Sequence, residues 1–324
     1  MAESRRLYPD FDITRTWALP PVPPLEDETL LAYLRRIGFT DAQISYTRRT
    51  WANAAGDSPE FLDAAASLDE MADDSAGAGD FRILDGYSRL IDALALGLDI
   101  RLRTEVVAVE WGQRPIRVHT ASGEVFEADH VVVSVPLSLL QRGCVRFDPA
   151  LPPDKQAAIE TLKVGPAIKL FYRFDTPVLP PGIMALYSPH NPPMWWTPSG
   201  GRDDTDGVQV MTGFASGNWA RDLLARGEAG ALEQGLRTLE TELGKRLTPA
   251  RMHLQNWVAD PYSLGGYSIT PPGARGMREI LARPTADALF WAGEATGHKA
   301  GAATVHGAYA SGRRAAQEIL AIGG

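Results

Sequence analysis

The segment from Leu289 to Leu320, LFWAGEATGHKAGAATVHGAYASGRRAAQEIL, constrains the fold of this chain more than any other stretch. It opens with a short apolar run, turns at Gly293 and continues through small residues into an Ala-rich stretch, which predicts strand, turn and helix. A strand ending at Ala292 places Gly293 and Glu294 at its carboxyl end, where open α/β sheets bind ligands. The Glu294 carboxylate could accept hydrogen bonds from sugar or ribityl hydroxyls there. The same small residues could equally serve tight packing of a helix on a sheet.

A second buried strand is predicted at HVVVSVP, where Val131, Val132 and Val133 form a nearly continuous apolar run. Such a run is typical of a strand buried on both faces inside a parallel sheet. Alternation predicts a strand at AIKLFYRF, and helical periodicity predicts helices at LEDETLLAYLRRIGF and GALEQGLRTLETELGKRL. Thr40 and Gln43 have the spacing of a capping box ahead of a further helix. Together these elements indicate a mixed α/β fold.

Composition narrows the class of protein. The chain has 324 residues, of which 44% are hydrophobic and 22% charged, typical of a globular protein with one large or two interleaved domains. Its net charge of -8 comes without a basic stripe, so nucleic acid is not an expected partner. The lone Cys144 offers neither an internal disulfide nor a cysteine zinc site, and no metal site is predicted. The most apolar stretch is short and broken by Pro136, so we expect no membrane segment and a cytoplasmic protein.

Four segments in a fixed order link these elements to a known family. They are FRILDGYSRLIDALALGLDIRLRTEVVAVEW, HVVVSVPLSLL, VGPAIKLFYRFD, and NWVADPYSLGGYSITPPG followed by LFWAGEATGHKAGAATVHGAYASGRRAA. In this order they resemble the flavin-dependent amine oxidases, a family that includes monoamine oxidases, polyamine oxidases and lysine-specific histone demethylases. The resemblance is carried by motifs from about residue 81 to the end of the sequence, and by general texture over residues 25–80.

The resemblance implies a bound FAD and a set of residues that contact it. Val106 matches a valine that contacts adenine, and Pro136 lies in a turn beside the flavin. Trp257 and Tyr262 match positions that line the flavin, although aromatic side chains are ordinarily core residues. The residues that the resemblance assigns to cofactor binding are Val106, Pro136, Trp257, Tyr262, Gly293, Glu294 and Val305.

Three residues are implied to act in catalysis. Lys169 matches the lysine that holds a water at flavin N5, whereas the alternation of its strand alone predicts a solvent-facing side chain. Tyr267 matches one wall of an aromatic cage that faces the substrate amine. Thr304 takes the position of the other wall, which is a tyrosine in monoamine oxidases. His306, in the same motif, is interpreted as structural.

Two departures from the family pattern lead to further expectations. Gly266 stands where monoamine oxidases have a flavin-linked cysteine, so FAD is expected to bind non-covalently. The strand, G-x-G-x-x-G turn and helix that hold the FAD pyrophosphate are missing, since the nearest match at Gly77-Ala78-Gly79 has Arg82 in its sixth position. We therefore expect a second chain that carries this unit, and hence a heteromeric complex.

The expected architecture is an incomplete Rossmann-like FAD-binding domain interleaved with an amine-oxidase-type substrate domain. Residues 1–80 and 146–256 are assigned to the substrate domain, and residues 81–145 and 257–324 to the FAD-binding domain. The expected activity is oxidation of a small primary or secondary amine, with hydride transfer to flavin N5, imine hydrolysis and formation of hydrogen peroxide from oxygen. The alternatives are an L-amino-acid oxidase or desaturase-like flavoenzyme, and a non-catalytic scaffold subunit or remnant. Trp195 and Trp196 could wall the substrate pocket or anchor a loop.

Overall fold

The computed structural model describes residues 22–72, 83, 86–180, 182–198 and 207–322. The glycine-containing loop predicted around Gly77 and Gly79 lies outside the described residues. The predicted mixed α/β class is confirmed. The chain divides into two compact units, each built from two stretches: a first unit of Met1–Met71 and Glu160–Met277, and a second unit of Ala72–Ile159 and Arg278–Gly324. Which unit serves the substrate and which the cofactor stays a prediction.

Helices occur in both units. In chain order, those of the described residues are α1 (Leu30–Arg36), α2 (Asp41–Arg49), α3 (Trp51–Ala54), α4 (Ala64–Ala72), α5 (Tyr87–Ala95), α6 (Leu137–Gln141), α7 (Pro153–Thr161), α8 (Gly217–Leu224), α9 (Gly227–Leu243), α10 (Met277–Ala282) and α11 (Val305–Leu320). Short 3-10 turns cover Glu294–Thr296 and Lys299–Gly301.

The strands of the described residues form four sheets. In chain order they are β1 (Val106–Glu110), β2 (Ile116–Thr120), β3 (Val125–Ala128), β4 (Val131–Val133), β5 (Arg146–Asp148), β6 (Lys163–Val164), β7 (Ala167–Phe174), β8 (Ala185–Tyr187), β9 (Met194–Trp196), β10 (Gln209–Ser216), β11 (Arg251–Asn256), β12 (Ser268–Ile269) and β13 (Leu289–Trp291). The first unit contains a five-stranded sheet of order β11-β7-β10-β9-β8 and the pair β12-β6. The second unit contains a four-stranded sheet of order β3-β2-β1-β5 and the pair β13-β4.

Local sequence explains where the first two helices begin and end. The Thr29 hydroxyl accepts a hydrogen bond from a backbone N–H of the first turn of α1. Gly38, just beyond the end of α1, has a φ of +87°, a left-handed conformation that favours glycine. At the start of α2, Thr40 and Gln43 make both reciprocal hydrogen bonds of the capping box. The predicted helix and the predicted capping box are confirmed.

Strand β7 is an interior strand of the five-stranded sheet, between β11 and β10. Its predicted alternation is confirmed, since Ile168, Leu170 and Tyr172 are fully buried while Lys169 on the opposite face is only partly buried. The buried side chains belong to one hydrophobic cluster with residues of α8 and α9, and the Tyr172 hydroxyl donates to a carbonyl of α9 at 2.8 Å. Each such large side chain contributes about 2 kcal/mol by its burial, so this face holds the sheet in place.

The pair of strands β4 and β13 is parallel, with Val131–Val133 opposite Leu289–Trp291. All three residues of β13 are buried, but Val132 at the centre of β4 is 43% exposed. The prediction that this strand is buried on both faces is therefore wrong at Val132, because the described residues leave that side of the pair open. Parallel strands are ordinarily part of larger sheets that are covered on both faces.

Helix α5 presents apolar side chains on its surface. Tyr87, Ile91 and Leu94 are exposed by 53%, 57% and 46%, and none of the α5 residues is buried. Exposed apolar surface of this kind marks a contact region more often than a solvated face. None of the helices in the described part of the chain combines the length and the apolar character needed to cross a membrane.

Candidate active site

The predicted site residues fall into two groups, one in each unit, and each group is described by itself. The first unit contains Lys169, Trp257, Tyr262 and Tyr267, and the second contains Val106, Pro136, Gly293, Glu294, Thr304 and Val305. The first group is a set of aromatic side chains around one lysine. The second group lies at strand and helix ends.

Lys169 projects from β7 among aromatic rings. Its Nζ lies 5.5 Å from the centre of the Trp196 ring and 5.4 Å from the centre of the Trp257 ring. Burial lowers the pKa of Lys169, because desolvation disfavours the ammonium, and no carboxylate of the described residues offsets the effect. The two rings compensate in part through cation–π contacts. A lysine in this setting is suited to holding a water or a proton at a defined point.

Strand β9 separates the roles of two consecutive tryptophans. Trp195 is fully buried, its indole N–H donates to a carbonyl three residues earlier at 2.8 Å, and its ring lies 5.7 Å from the Tyr172 ring. Trp196 faces the opposite side, beside Lys169 and 6.2 Å from the Phe214 ring. Each of the two alternatives left open by the sequence therefore applies to one tryptophan. Trp195 is an anchor, and Trp196 is a candidate pocket wall. Alternation along a strand was the signal that could have separated them.

Tyr267 is fixed by the backbone around it. Its hydroxyl donates a hydrogen bond to the carbonyl of Ala54, and its carbonyl accepts one from the Gly165 N–H at 3.3 Å. A Cβ on Gly56 would come within 2.7 Å of the Tyr267 ring, so glycine is needed for this close approach. The ring is thus held in one orientation. Tyr262 is 63% exposed instead, and its role at the flavin stays a prediction.

Gly266 is packed too closely to accommodate a side chain without movement. Its N–H donates to the Gly165 carbonyl at 2.9 Å. A Cβ at Gly266 would come within 2.6 Å of the Ala167 Cβ, closer than real Cβ contacts allow. A cysteine at this position would force the backbone to shift. The packing therefore agrees with the expectation of a cofactor bound without a thioether link.

Gly293 forms the turn at the carboxyl end of β13. Its φ is +108°, which side chains rarely tolerate, and its N–H donates to the Ser311 hydroxyl at 2.9 Å. A Cβ there would have no neighbour closer than the Ser134 carbonyl oxygen at 3.8 Å, so one side of this backbone is open. Glu294 follows, and its carbonyl accepts two backbone hydrogen bonds. An open, rigid backbone at the end of parallel strands is a common ligand position.

Lys155, which the sequence analysis did not single out, supports this region from within the second unit. Its Nζ donates to the carbonyls of Ile280, Leu281 and Arg283 at 2.9, 2.8 and 2.6 Å, and lies 4.6 Å from the centre of the Trp291 ring. Burial lowers the pKa of Lys155 to about 7. A lysine in a predicted helix ordinarily faces solvent, so no sequence signal marked it.

Arg314 of α11 holds the same strand from the other direction. Its guanidinium donates to the carbonyls of Ala282 and Trp291 at 2.8 and 2.7 Å, and to the Thr296 hydroxyl at 3.2 Å. These bonds tie the last residue of β13 to α10 and to the 3-10 turn that follows Gly293. Lys155 and Arg314 together give the Gly293 turn a fixed support.

Thr304 caps α11. Its hydroxyl accepts from the Gly307 N–H at 3.0 Å and donates to the Gly301 carbonyl at 3.0 Å. A Cβ at Gly307 would meet the Gly301 carbonyl oxygen at 1.7 Å, so this turn requires glycine. The hydroxyl is therefore engaged in capping, and Val305, which is 55% exposed, is the side chain left open to a ligand. A substrate-facing role for Thr304 stays a prediction.

A hollow of about 470 Å³ lies beside the start of α11. Its lining consists of Thr296, Gly297, His298, Gly301, His306, Gly307, Ala310, Ser311 and Arg314. None of these residues is a carboxylate, and the titratable ones are two histidines and an arginine. The hollow is therefore suited to a neutral or anionic group.

Val106 and Pro136 lie at the ends of their elements. Val106 begins β1 opposite Thr120 of β2 and is partly buried. Pro136 is exposed and directly precedes α6. Their contacts with adenine and flavin stay predictions.

Comparison with known proteins defines the family. The profile of the flavin containing amine oxidoreductases matches residues 5–320. The chain is 32% identical over 238 residues to polyamine oxidase 4 of Oryza sativa subsp. japonica. This match covers 73% of this chain and 48% of that protein. It is 32% identical over 267 residues to lysine-specific histone demethylase 2 of Homo sapiens, covering 75% of this chain and 31% of that protein. The chain belongs to the flavin-containing amine oxidoreductase family, and it spans about half the length of the polyamine oxidases it matches.

Solved structures share the fold. Putrescine oxidase bound to putrescine superposes with a TM-score of 0.77 at 18% identity, over 94% of this chain and 70% of that chain. Cyclohexylamine oxidase from Brevibacterium oxydans IH-35A gives a TM-score of 0.75 at 17% identity, over 96% of this chain and 71% of that chain. The predicted family and the amine-oxidase-type fold are confirmed.

Proposed function

We propose that this chain forms, together with a second polypeptide, an FAD-dependent oxidase of primary or secondary amines. The observation that carries the proposal is Lys169, a partly buried lysine beside two tryptophan rings, with a pKa lowered by burial. Family membership gives this lysine its context. A structural lysine is expected at the surface, beside a carboxylate or, as with Lys155, on several backbone carbonyls.

The described residues fit a flavin cofactor. In the first unit, Trp257 beside Lys169 offers an aromatic face, and the close packing of Gly266 leaves no room for a covalent cysteine link. In the second unit, the open backbone at Gly293 and the hollow without carboxylates suit a sugar-phosphate chain. We propose that FAD binds non-covalently, with contacts from Val106, Pro136, Trp257, Tyr262, Gly293, Glu294 and Val305.

When bound, FAD supplies the redox chemistry, in which the amine loses a hydride and a proton and oxygen is reduced to hydrogen peroxide. The resulting imine adds water and yields a carbonyl compound and an amine or ammonia. Lys169 releases its proton more readily than an exposed lysine, since burial already disfavours the charged form. Tyr267, held through Ala54, presents a fixed wall to the amine. The aromatic side chains keep bulk water away from the reacting carbon.

We further propose that the second polypeptide carries the strand, G-x-G-x-x-G turn and helix that hold the pyrophosphate. This motif does not occur in the 324 residues. The parallel pair of β4 and β13, with Val132 43% exposed, supports the proposal, because such a pair needs further strands and a cover. The apolar surface of α5 supports it as well. The competing arrangement is a unit of this kind on the same polypeptide.

The test of the proposed function is flavin content and flavin reduction. The purified protein or complex should be yellow, and amines should bleach the flavin without oxygen and release hydrogen peroxide with oxygen. Absence of flavin from the chain in every pairing would favour the non-catalytic scaffold. Reduction by amino acids but not by simple amines would favour the amino-acid oxidase.

A further inference from the structure

One face of the five-stranded sheet carries Lys169, and it is called the lysine face below. Directly paired residues of neighbouring antiparallel strands point to the same face. Phe214 lies opposite Lys169, Thr212 lies opposite both Phe171 and Trp196, and these residues therefore form the middle of the lysine face. The face lies wholly within the first unit.

The strand residues of the lysine face carry positive charge. None of the strand residues that share this face by register is Asp or Glu. Its charged residues are Lys169, Arg173 and Arg251, and the two arginines are paired opposite each other. Arg173 forms an ion pair with Asp175 beyond the end of β7 at 2.8 Å. The net field along the face therefore opposes a polycation.

The middle of the lysine face is aromatic and largely buried or partly buried. Phe214 is 7% exposed, and its ring lies 6.2 Å from the ring of Trp196. Phe171 stacks on His253 with ring centres 6.2 Å apart. The Thr212 hydroxyl is buried and has no hydrogen-bond partner in the described part of the chain. The polar groups that the strands offer here besides Lys169 carry no negative charge: they are the Thr212 hydroxyl, the His253 imidazole and the Gln255 amide, which is paired opposite Lys169.

We infer that the substrate is a monoamine with an aromatic or cycloaliphatic body, and that diamines and polyamines are poor substrates. This inference rests on the proposed function, in which Lys169 marks the reacting carbon. A second ammonium on the body of the substrate would be desolvated among Trp196, Phe171 and Phe214 without a carboxylate partner. Such burial costs several kcal/mol, which polar groups without negative charge do not offset as a carboxylate would. An uncharged ring would instead bury its apolar surface there.

The arginines of the lysine face do not indicate an α-amino acid as the substrate. Arg173 is four residues from Lys169 along β7, a distance of roughly 13 Å for extended backbone. The carboxylate of an α-amino acid is attached to the reacting carbon itself. An arginine that recognised it would have to lie beside Lys169, and no arginine does so among the strand residues of this face.

The experiment compares flavin reduction by two classes of amine in the purified flavoprotein. Benzylamine and cyclohexylamine represent ring monoamines, and putrescine and spermidine represent polycations. We expect kcat/KM to be at least about 100-fold higher for the ring monoamines, the factor that corresponds to leaving one charge unpaired. Equal or faster reduction by putrescine or spermidine would overturn the inference and leave the proposed function standing. If neither class reduced the flavin, the proposed function itself would fail, and the inference with it.

Variants of Trp196 test whether this side chain determines the preference for ring monoamines. Trp196→Phe should keep the preference for ring monoamines, whereas Trp196→Ala should raise KM for them more than it lowers kcat. Trp196→Glu should reduce the difference in kcat/KM between ring monoamines and putrescine, because it adds a carboxylate that can pair with the second ammonium of putrescine. Phe61→Ala, which removes an aromatic ring that is 48% exposed and outside the five strands, is the matched control. A preference that Trp196→Ala and Trp196→Glu leave unchanged would overturn the inference.

Discussion

The two units differ in how completely each buries its own strands. In the first unit, β7 lies between two antiparallel neighbours, and its inward side chains are fully buried in one hydrophobic cluster. In the second unit, the parallel pair of β4 and β13 leaves its central Val132 exposed, and α5 buries none of its residues. A sheet built from antiparallel neighbours can be complete within one stretch of chain, whereas parallel strands depend on connections and covers from elsewhere.

We propose that the two units have different tasks. The first unit is complete around Lys169 and its tryptophans, so we assign to it the handling of the amine. The second unit has a rigid Gly293 turn, held by Lys155 and Arg314, beside strands that are left open. We propose that this unit binds the sugar-phosphate part of the cofactor, and that a second polypeptide completes the site.

The largest expected effect concerns the first unit. Lys169→Met should slow reoxidation of the reduced flavin by roughly 100-fold or more, the scale of a lost proton-handling group, and leave flavin content unchanged. Stopped-flow absorbance measures both half-reactions. The control is Lys163→Met, which removes a surface lysine whose Nζ donates to the Glu160 carbonyl at 3.1 Å. Reoxidation at the wild-type rate in Lys169→Met would remove this residue from the mechanism.

The second prediction compares one residue from each unit. Glu294→Ala should weaken FAD binding by about 10- to 100-fold, because a charge-assisted hydrogen bond to a hydroxyl contributes about 1.5 to 3 kcal/mol. Tyr267→Ala should leave FAD binding intact and reduce amine turnover. Fluorescence titration with FAD and anaerobic flavin reduction give the two readouts. Glu127→Ala, in an exposed ion pair of β3, is the control for Glu294→Ala. Exchanged phenotypes would contradict the assignment of tasks to the units.

The third prediction concerns the support of the second unit. Burial lowers the pKa of Lys155 from 10.5 to about 7, so between these values the folded chain binds fewer protons than the unfolded chain. The cost of burying the charge is fully present below the lower value, and stability rises as the pH increases through this window. Relative to Lys155→Met, the unfolding free energy of the wild type should increase by roughly 2 kcal/mol between about pH 6.5 and about pH 9.

Urea unfolding of the purified protein or complex at several pH values measures this difference. Lys245→Met, at an exposed position after α9, is the control and should show no such pH dependence relative to the wild type. A wild-type stability that falls relative to Lys155→Met over the same range would show that the sign is wrong.

The smallest expected effect compares neighbouring valines of β4. Val132→Thr should change the unfolding free energy of the chain alone by less than about 0.5 kcal/mol, because this side chain is largely open. Val133→Thr, at a position only 6% exposed, should cost about 1 to 3 kcal/mol through burial of a hydroxyl. The second polypeptide should bind Val132→Thr more weakly than wild type, as measured by titration of the two chains. Equal affinity of Val132→Thr and wild type for the second polypeptide would show that Val132 lies outside the interface.

Local rules predicted much of the fold, and tertiary contacts decided the rest. The capping box of Thr40 and Gln43 and the alternation around Lys169 depend on neighbouring residues, so sequence was sufficient. Lys155 was missed because its burial depends on three carbonyls more than 120 residues away. Thr304 was assigned by resemblance to a pocket wall, while its hydroxyl caps α11. The resemblance supplied the position, and the hydrogen bonds supplied the local role.

The central claim is that one active site requires this chain and a second polypeptide with the pyrophosphate-binding unit. The most direct measurement is flavin absorbance together with mass in solution, for this chain expressed alone and with candidate subunits that carry G-x-G-x-x-G. The account predicts little or no flavin for the chain alone, and a yellow complex with one FAD per pair when the correct subunit is present. Stoichiometric FAD in a well-behaved monomer of this chain alone would contradict the claim.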